Sequence, residues 1–378
     1  MVSKGFNKDM KEEKIIEQFL SINDSSNNPT NGKYSSKSIS FYKDIKEWQD
    51  LKLGNKYPIR PIQFTFEITN KCNCNCKDCG MAANRMEVER TSIEENELKT
   101  LVDSLERMGI PAFAITGGEP FLEFDKICSM IEYAKNKVDV IKIISNGFWG
   151  RDAKHYFQYL EKNGFFANNF FVPSLQISIG EQTVPLEYIC NIINYVTNHY
   201  QNNELHLGII HTREPNLKES KLVKLYKTYI EKFGSFPPNR VFLTESNYVN
   251  SNPLATEKIP VETTSLYDML PNCSNRFTQK LGTFVSPKIF MKCNGDCYPC
   301  EVFNIHECMY LGNYFKDGLN IILENYNNNK YISFIRDYGT NSFRDVIPKK
   351  TLEQVQVETV CQACEYCIKY AEEKRLIR

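Results

Sequence analysis

From about residue 61 the chain alternates short apolar runs with amphipathic stretches of helical length. The runs fall at residues 63–69, 112–116, 138–145, 175–179, 205–211 and 240–243, and the helical stretches at 94–108, 121–136, 152–162, 186–199 and 218–233. The runs have the length of buried strands, and the stretches repeat their apolar positions with helical spacing. Strand–helix alternation repeated about six times predicts a parallel sheet covered by helices: an α/β fold, most simply a partial (β/α)6 TIM-type barrel, two units short of a complete one.

The flanks follow other rules. Residues 8–20 predict one helix, with Ile15, Ile16, Phe19 and Leu20 on one face, and residues 23–38, rich in Ser, Asn and Gly, read as a loop. Past residue 250 the alternation stops. A connector over 251–271 carries Pro253, Pro260 and Pro271, and two short runs at 288–292 and 297–299 flank Asn294-Gly295, a favoured tight hairpin turn. A helical segment over 319–337 and a charged terminal helix over 366–378 complete the chain, and no internal repeat is present. The expected division is an N-terminal extension at 1–60, the barrel at 61–250 and a small second unit at 251–378.

The length of 378 residues fits two or three domains at about 150 residues each. Lys plus Arg and Asp plus Glu both number 46, so the net charge is zero and a broadly basic nucleic-acid-binding protein is excluded. No apolar run reaches the roughly 18 residues of a membrane span. Residues 1–10 are polar and lack the apolar core of a secretion signal, so a cytoplasmic protein is expected. Cysteine changes the picture. There are 14, and a large unsecreted chain has little use for a disulfide framework, so clustered thiols point to metal.

Four of them crowd the loop after the first strand: Cys72-Asn-Cys74-Asn-Cys76-Lys-Asp-Cys79. Soft thiolates select zinc or iron–sulfur clusters. A zinc knuckle would use all four, but alternating Cys-x-Cys-x-Cys suits one zinc poorly compared with paired Cys-x-x-Cys. Without Cys74 the spacing is Cys72-x3-Cys76-x2-Cys79, three ligands that would leave one iron of a four-iron cluster open.

That spacing, just after a strand ending Glu67-Ile-Thr-Asn70, resembles the signature of the radical S-adenosylmethionine (radical SAM) superfamily. Thr116-Gly117-Gly118-Glu119-Pro120, after the second strand, resembles the family's Gly-Gly-Glu-Pro motif, which holds the SAM amino group. Ser145-Asn146-Gly147, at the end of the third, resembles the Thr-Asn-Gly segment near the SAM ribose and methionine. Ser178-Ile-Gly180, at the end of the fourth, matches Ser-x-Asp in its serine; Gly180 stands where the family has Asp, with Glu181 as a substitute. All four fall at strand carboxyl ends, where α/β barrels build their sites.

Eight further cysteines follow residue 270: Cys273, Cys293, Cys297, Cys300, Cys308, Cys361, Cys364 and Cys367. The hairpin from Cys293 to Cys300, Leu311-Gly-Asn313 and Cys361-x2-Cys364-x2-Cys367 resemble the SPASM/twitch extension, which binds one or two auxiliary clusters in radical SAM enzymes. Gly295-x4-Cys300 matches its core spacing, whereas the long cysteine run of the two-cluster form is absent. The resemblance implies one auxiliary [4Fe–4S] cluster held by Cys273 and Cys300 with two of Cys361, Cys364 and Cys367. Cys297, then Cys293, are substitutes, and eight thiols suffice for two clusters. A zinc site of Cys297, Cys300, Cys361 and Cys364 is the plainer alternative. Cys128 and Cys190 lie in helical patterns and read as buried apolar residues; Cys74 and Cys308 receive no role. His211, Glu245 and Trp149 are further candidates beside the site, each also explicable as loop or packing.

The resemblance implies that an external flavodoxin- or ferredoxin-like donor reduces the first cluster. SAM is then cleaved to a 5′-deoxyadenosyl radical, which takes a hydrogen from the substrate. The substrate expected first is a ribosomally made peptide or protein, to be cross-linked or oxidised. The alternatives are dehydrogenation of a small molecule such as an aminocyclitol precursor and, in a different class, a non-catalytic zinc-binding interaction protein.

Overall fold

The computed structural model describes residues 47, 49–51, 60–76, 79, 91–167, 170–180, 184–211, 220–245, 263–269, 288–301 and 307–377. The predicted helix over 8–20, the loop over 23–38, Glu181 and Cys273 lie outside the described residues, as does most of the 251–271 connector.

Six strands and the five helices between them build the body of the molecule in the predicted order: β1 (Gln63–Thr69), α1 (Glu95–Arg107), β2 (Ala112–Gly117), α2 (Phe124–Ala134), β3 (Asp139–Ser145), α3 (Ala153–Lys162), β4 (Ser174–Ile179), α4 (Leu186–His199), β5 (His206–His211), α5 (Lys221–Phe233) and β6 (Val241–Glu245). Each strand pairs in parallel with the next. The period of two explains the layering. Phe64, Phe66 and Ile68 of β1, and Leu175, Ile177 and Ile179 of β4, join the core that the helices cover. The alternate residues, Gln63, Thr65, Glu67 and Thr69 on β1 and Ser174, Gln176 and Ser178 on β4, take the opposite, inner face. Helix α1 starts where Glu94 and Glu97 form a reciprocal capping box, and it buries Leu98, Leu101, Val102 and Leu105 at helical spacing.

The second unit begins with β7 (Thr264–Ser265) and α6 (Leu266–Met269). The predicted hairpin follows as β8 (Lys288–Met291) and β9 (Asp296–Tyr298), an antiparallel pair turned at Asn294-Gly295, with Gly295 at φ +92°. Then come β10 (Gly312–Asn313), α7 (Tyr314–Asn328), α8 (Lys330–Tyr338), α9 (Phe343–Val346), α10 (Lys349–Gln354), β11 (Gln356–Val357) and α11 (Val360–Glu373).

The sheet does not stop at six strands. Strand β8 pairs in parallel with the outer edge of β1, Gln63 opposite Lys288 and Phe66 opposite Met291. Among the described residues one nine-stranded sheet runs β10-β9-β8-β1-β2-β3-β4-β5-β6, so β1 is interior. The helical segment expected over 319–337 is two helices, because Asn329 ends one and caps the next through Tyr331 N and Ile332 N. The terminal helix starts at Val360 rather than 366. Thr359 caps it by accepting from Gln362 N, and Ala363, Cys364, Cys367, Ile368 and Ala371 form its buried stripe. Cys361, Cys364 and Cys367 therefore stand on a helix, each one turn from the next.

Candidate active site

The cysteine loop leaves and rejoins the sheet through one stem. Asn70 N donates to Thr91 O (3.1 Å), Thr91 N to Asn70 Oδ1 (2.7 Å) and Ile93 N to Ile68 O (2.9 Å). Inside the loop Cys79 N donates to Cys76 O (3.3 Å). Cys72, Cys76 and Cys79 are half-buried, whereas Cys74 is turned inward and only 5% exposed. Among the described residues no group of three His, Cys, Asp or Glu side chains is already set to hold a metal ion. The fit to an iron–sulfur cluster is thus one of donor type and access. Three soft thiols are reachable at the strand ends, and the fourth is buried.

The end of β2 lies directly on this loop. Gly118 N donates to Thr69 O (2.7 Å) and Glu119 N to Lys71 O (2.8 Å). Only glycine allows the approach: a Cβ on Gly117 or on Gly118 would stand 2.2 Å from Thr69 O or Lys71 O respectively. Glu119 then enters the core with no solvent exposure. Its Oε1 accepts from Phe121 N (3.0 Å) and Ser145 Oγ (2.8 Å), and its Oε2 from Asn146 N (2.7 Å). Burial outweighs these donors and pushes its carboxyl up to about 7.

Ser145 and Asn146 carry the network on. Ser145 Oγ accepts from Gly147 N and from Trp149 Nε1, both at 3.0 Å. Asn146 Nδ2 donates to Asn73 Oδ1 (2.8 Å) and Cys74 Sγ (3.1 Å). Three of the four sequence motifs are thereby joined by direct hydrogen bonds. Pro120, buried, opens a short 3-10 turn over Pro120–Glu123. The Cys74 thiol, ahead of burial, holds the Cys72 thiol far above the ordinary thiol range, while the Cys74 N–H, 3.4 Å from Cys72 Sγ, pulls it back.

The other candidates separate. Ser178 lies at the end of β4 on the inner face, one residue past the Ser145–Ile177 pairing. At Gly180 a Cβ would meet nothing within 4 Å, so the missing Asp is not dictated by space. His211 pairs in register with Ile179 and shares the alternation of Leu207 and Ile209, which puts it with the helix-facing set and not with the inner face. The side chain of Glu245 lies outside the described ones. Trp149 is fully buried and stacked on Phe121 at 4.5 Å, a packing residue. Cys128 and Cys190 are buried in helices, as expected.

Among the second group, Cys293, Cys297, Cys300, Cys361, Cys364 and Cys367 are all buried, and Cys308 is half-buried. One residue that sequence reasoning passed over is Glu67. It is buried, accepts from Cys293 N (3.3 Å) and is pushed up to about 7 by burial. The polar alternation Gln63, Thr65, Glu67, Thr69 within an apolar strand was the available signal.

Hence the parallel strands of an α/β sheet carry a three-thiol loop, a Gly-Gly-Glu-Pro segment and a Ser-Asn-Gly turn at adjoining ends. The family model of the radical SAM superfamily matches residues 66–198 of this chain. The family so matched implies SAM and a [4Fe–4S] cluster.

The chain is 28% identical over 131 residues to YydG of Bacillus subtilis, named "Putative peptide biosynthesis protein", covering 34% of this chain and 39% of that protein. It is 30% identical over 94 residues to the antilisterial bacteriocin subtilosin biosynthesis protein AlbA of Bacillus subtilis, 25% of this chain and 20% of AlbA. The matches therefore span less than half the length of either relative. In fold the chain is similar to Streptococcus suis SuiB, solved bound to its precursor peptide SuiA, with a TM-score of 0.54 at 15% identity over 93% of this chain and 87% of that one. Among the described residues no helix is long and apolar enough to cross a membrane.

Proposed function

We propose that this chain is a cytoplasmic radical SAM enzyme that modifies a ribosomally made peptide or protein, by cross-linking or oxidation. The observation that carries the reading is the hydrogen-bonded junction of the cysteine loop with Glu119, Ser145 and Asn146. The peptide half rests on two relatives, one named for peptide biosynthesis and one for bacteriocin biosynthesis.

In this reading Cys72, Cys76 and Cys79 hold the [4Fe–4S] cluster, and Gly117, Gly118, Glu119, Pro120, Ser145, Asn146 and Ser178 line the SAM site. Bound together, cluster and SAM supply a 5′-deoxyadenosyl radical once an external flavodoxin- or ferredoxin-like donor has given an electron. The chain's own part is positional. Gly117 and Gly118 bring the β2 end against the cysteine loop, and the buried Glu119 carboxylate fixes the Ser145–Asn146 turn beside it. The barrel spans 61–250, and a SPASM/twitch-like unit at 251–378 holds one auxiliary [4Fe–4S] cluster through Cys273, Cys300 and two of Cys361, Cys364 and Cys367. Six buried thiols across the hairpin and α11 support that second site.

The test is iron and sulfide content after anaerobic reconstitution, with 5′-deoxyadenosine release measured beside it. Wild type is expected to hold about eight irons, and a Cys72→Ala/Cys76→Ala/Cys79→Ala variant about four with no release. Zinc without iron in both would overturn the enzyme reading. Release provoked by a small polyol and by no candidate precursor peptide would replace the peptide substrate with a small molecule.

A further inference from the structure

Strand β11 pairs along one edge only. Leu266 N donates to Val355 O (2.8 Å), and Gln356 and Val357 lie antiparallel to Ser265 and Thr264. Bonded and non-bonded pairs alternate in such a ladder, so Gln356, next to the bonded Val355–Leu266 pair, points its N–H and C=O away from β7. Among the described residues this sheet has two strands, and no hydrogen bond reaches either of those groups. Gln356 lines a cleft of about 340 Å³ whose other wall is α11. That wall is Gln362, Glu365, Tyr366 and Lys369, spaced i, i+3, i+4 and i+7 and so one stripe of the helix, opposite the one that buries Cys364 and Cys367. From Gln362 to Lys369 a helix rises about 10 Å, the reach of about three residues of extended chain. One end of the cleft is pinned: Glu358 N donates to Gln362 Oε1 (2.8 Å) and Gln362 Nε2 to Glu358 Oε2 (2.9 Å). The lining sets the carboxylates of Glu358 and Glu365 and the ring of Tyr366 against the single ammonium of Lys369.

We infer that this cleft binds an extended segment of the peptide substrate, carrying a Lys or Arg, as a strand added to β11. This rests on the peptide-substrate reading, which supplies the occupant. The segment's backbone pairs with the N–H and C=O of Gln356, and its side chains alternate between cleft and solvent. The surplus of carboxylate in the lining, with an aromatic face beside it, selects a cationic side chain. None of these residues belongs to the strand ends that carry the cysteine loop, so the cleft holds the peptide and does not react with it.

The experiment is fluorescence anisotropy of the full-length, reconstituted protein with a labelled heptapeptide, Thr-Val-Thr-Lys-Thr-Val-Thr, acetylated and amidated at its ends. Saturable binding is expected, about tenfold weaker when alternate peptide nitrogens are methylated and about tenfold weaker when the lysine is replaced by glutamate. Gln356→Pro, which removes the N–H from an edge position, and Glu365→Lys are expected to weaken binding by a similar factor while keeping wild-type iron content. Binding that ignores backbone methylation, or that both variants leave unchanged, would overturn the inference, as would no binding up to the highest soluble protein concentration. If Gln356→Pro does not fold, the methylated peptide on wild-type protein decides the same question. Binding is read without SAM or reductant. Release of 5′-deoxyadenosine provoked only by a polyol would therefore overturn the substrate as occupant while the anisotropy still reported on the cleft.

Discussion

Glu67 and Glu119 are both enclosed, and in both burial lifts the carboxyl from 4.5 to about 7. Below pH 4.5 the native and unfolded chains both hold these protons. As the pH rises towards 7 the unfolded chain releases them first, so stability is lost across that window at up to about 1.4 kcal/mol per pH unit for each group. Glu67→Gln keeps the shape and removes one titration. In urea unfolding at pH 5 and pH 7, the fall in stability between the two is expected to shrink by about 2 kcal/mol relative to wild type; an unchanged fall would show that Glu67 titrates normally in the native state. The two carboxylates were not equally legible. Glu119 announced itself through the Gly-Gly-Glu-Pro string. Glu67 sat in a strand whose alternation was visible but whose inner face had no known cover, because Cys293 arrives from the far end of the sequence.

At the scale of elements, Gly117 and Gly118 decide how close β2 comes to the cysteine loop. A Cβ at Gly118 would meet main-chain atoms, Lys71 O at 2.2 Å and Lys71 C at 2.6 Å, which have no rotamer to yield. Gly118→Ala is therefore expected to cost about 1–3 kcal/mol in urea unfolding and to abolish SAM binding measured by calorimetry. Binding retained at wild-type strength would show that the loop and the β2 end move apart without consequence. The first six strands and the five helices between them were readable because each carries its own period, two or 3.6, and a capping or breaking residue at its ends. The terminal helix was placed six residues late because its first two turns carry cysteines, which speak for chemistry rather than for helix. His211 was placed at the right strand end but on the wrong face, a matter of register that its neighbours Leu207 and Ile209 determine.

At the scale of the molecule, the two halves of the sequence share one sheet. The side chains that β8 buries, Ile289 and Met291, belong to the same core as Phe64 and Phe66 of β1. Interior strands should then be the best protected. In hydrogen exchange followed by mass spectrometry, amides of β1 and β2 are expected to exchange slowest and those of β6 and β10, at the two ends of the sheet, fastest, with β8 following β1 rather than α11. Fast exchange across β8 beside a slow β1 would mean that the second unit opens independently. None of this pairing was legible, since a hairpin signal fixes which two strands turn on each other and says nothing about the edge they join.

The parallel seam between β1 and β8 also has a consequence for how the chain is made. Strand β1 is among the first described elements to leave the ribosome, yet the partner for its outer edge follows roughly 225 residues later, about 10–45 s at ordinary rates of synthesis. Throughout that interval a strand of Phe64, Phe66 and Ile68 presents unpaired backbone to its surroundings, the situation in which nascent sheets recruit one another. The yield of soluble protein from a cell should accordingly depend on chaperones that cover this edge until residues 288–291 arrive.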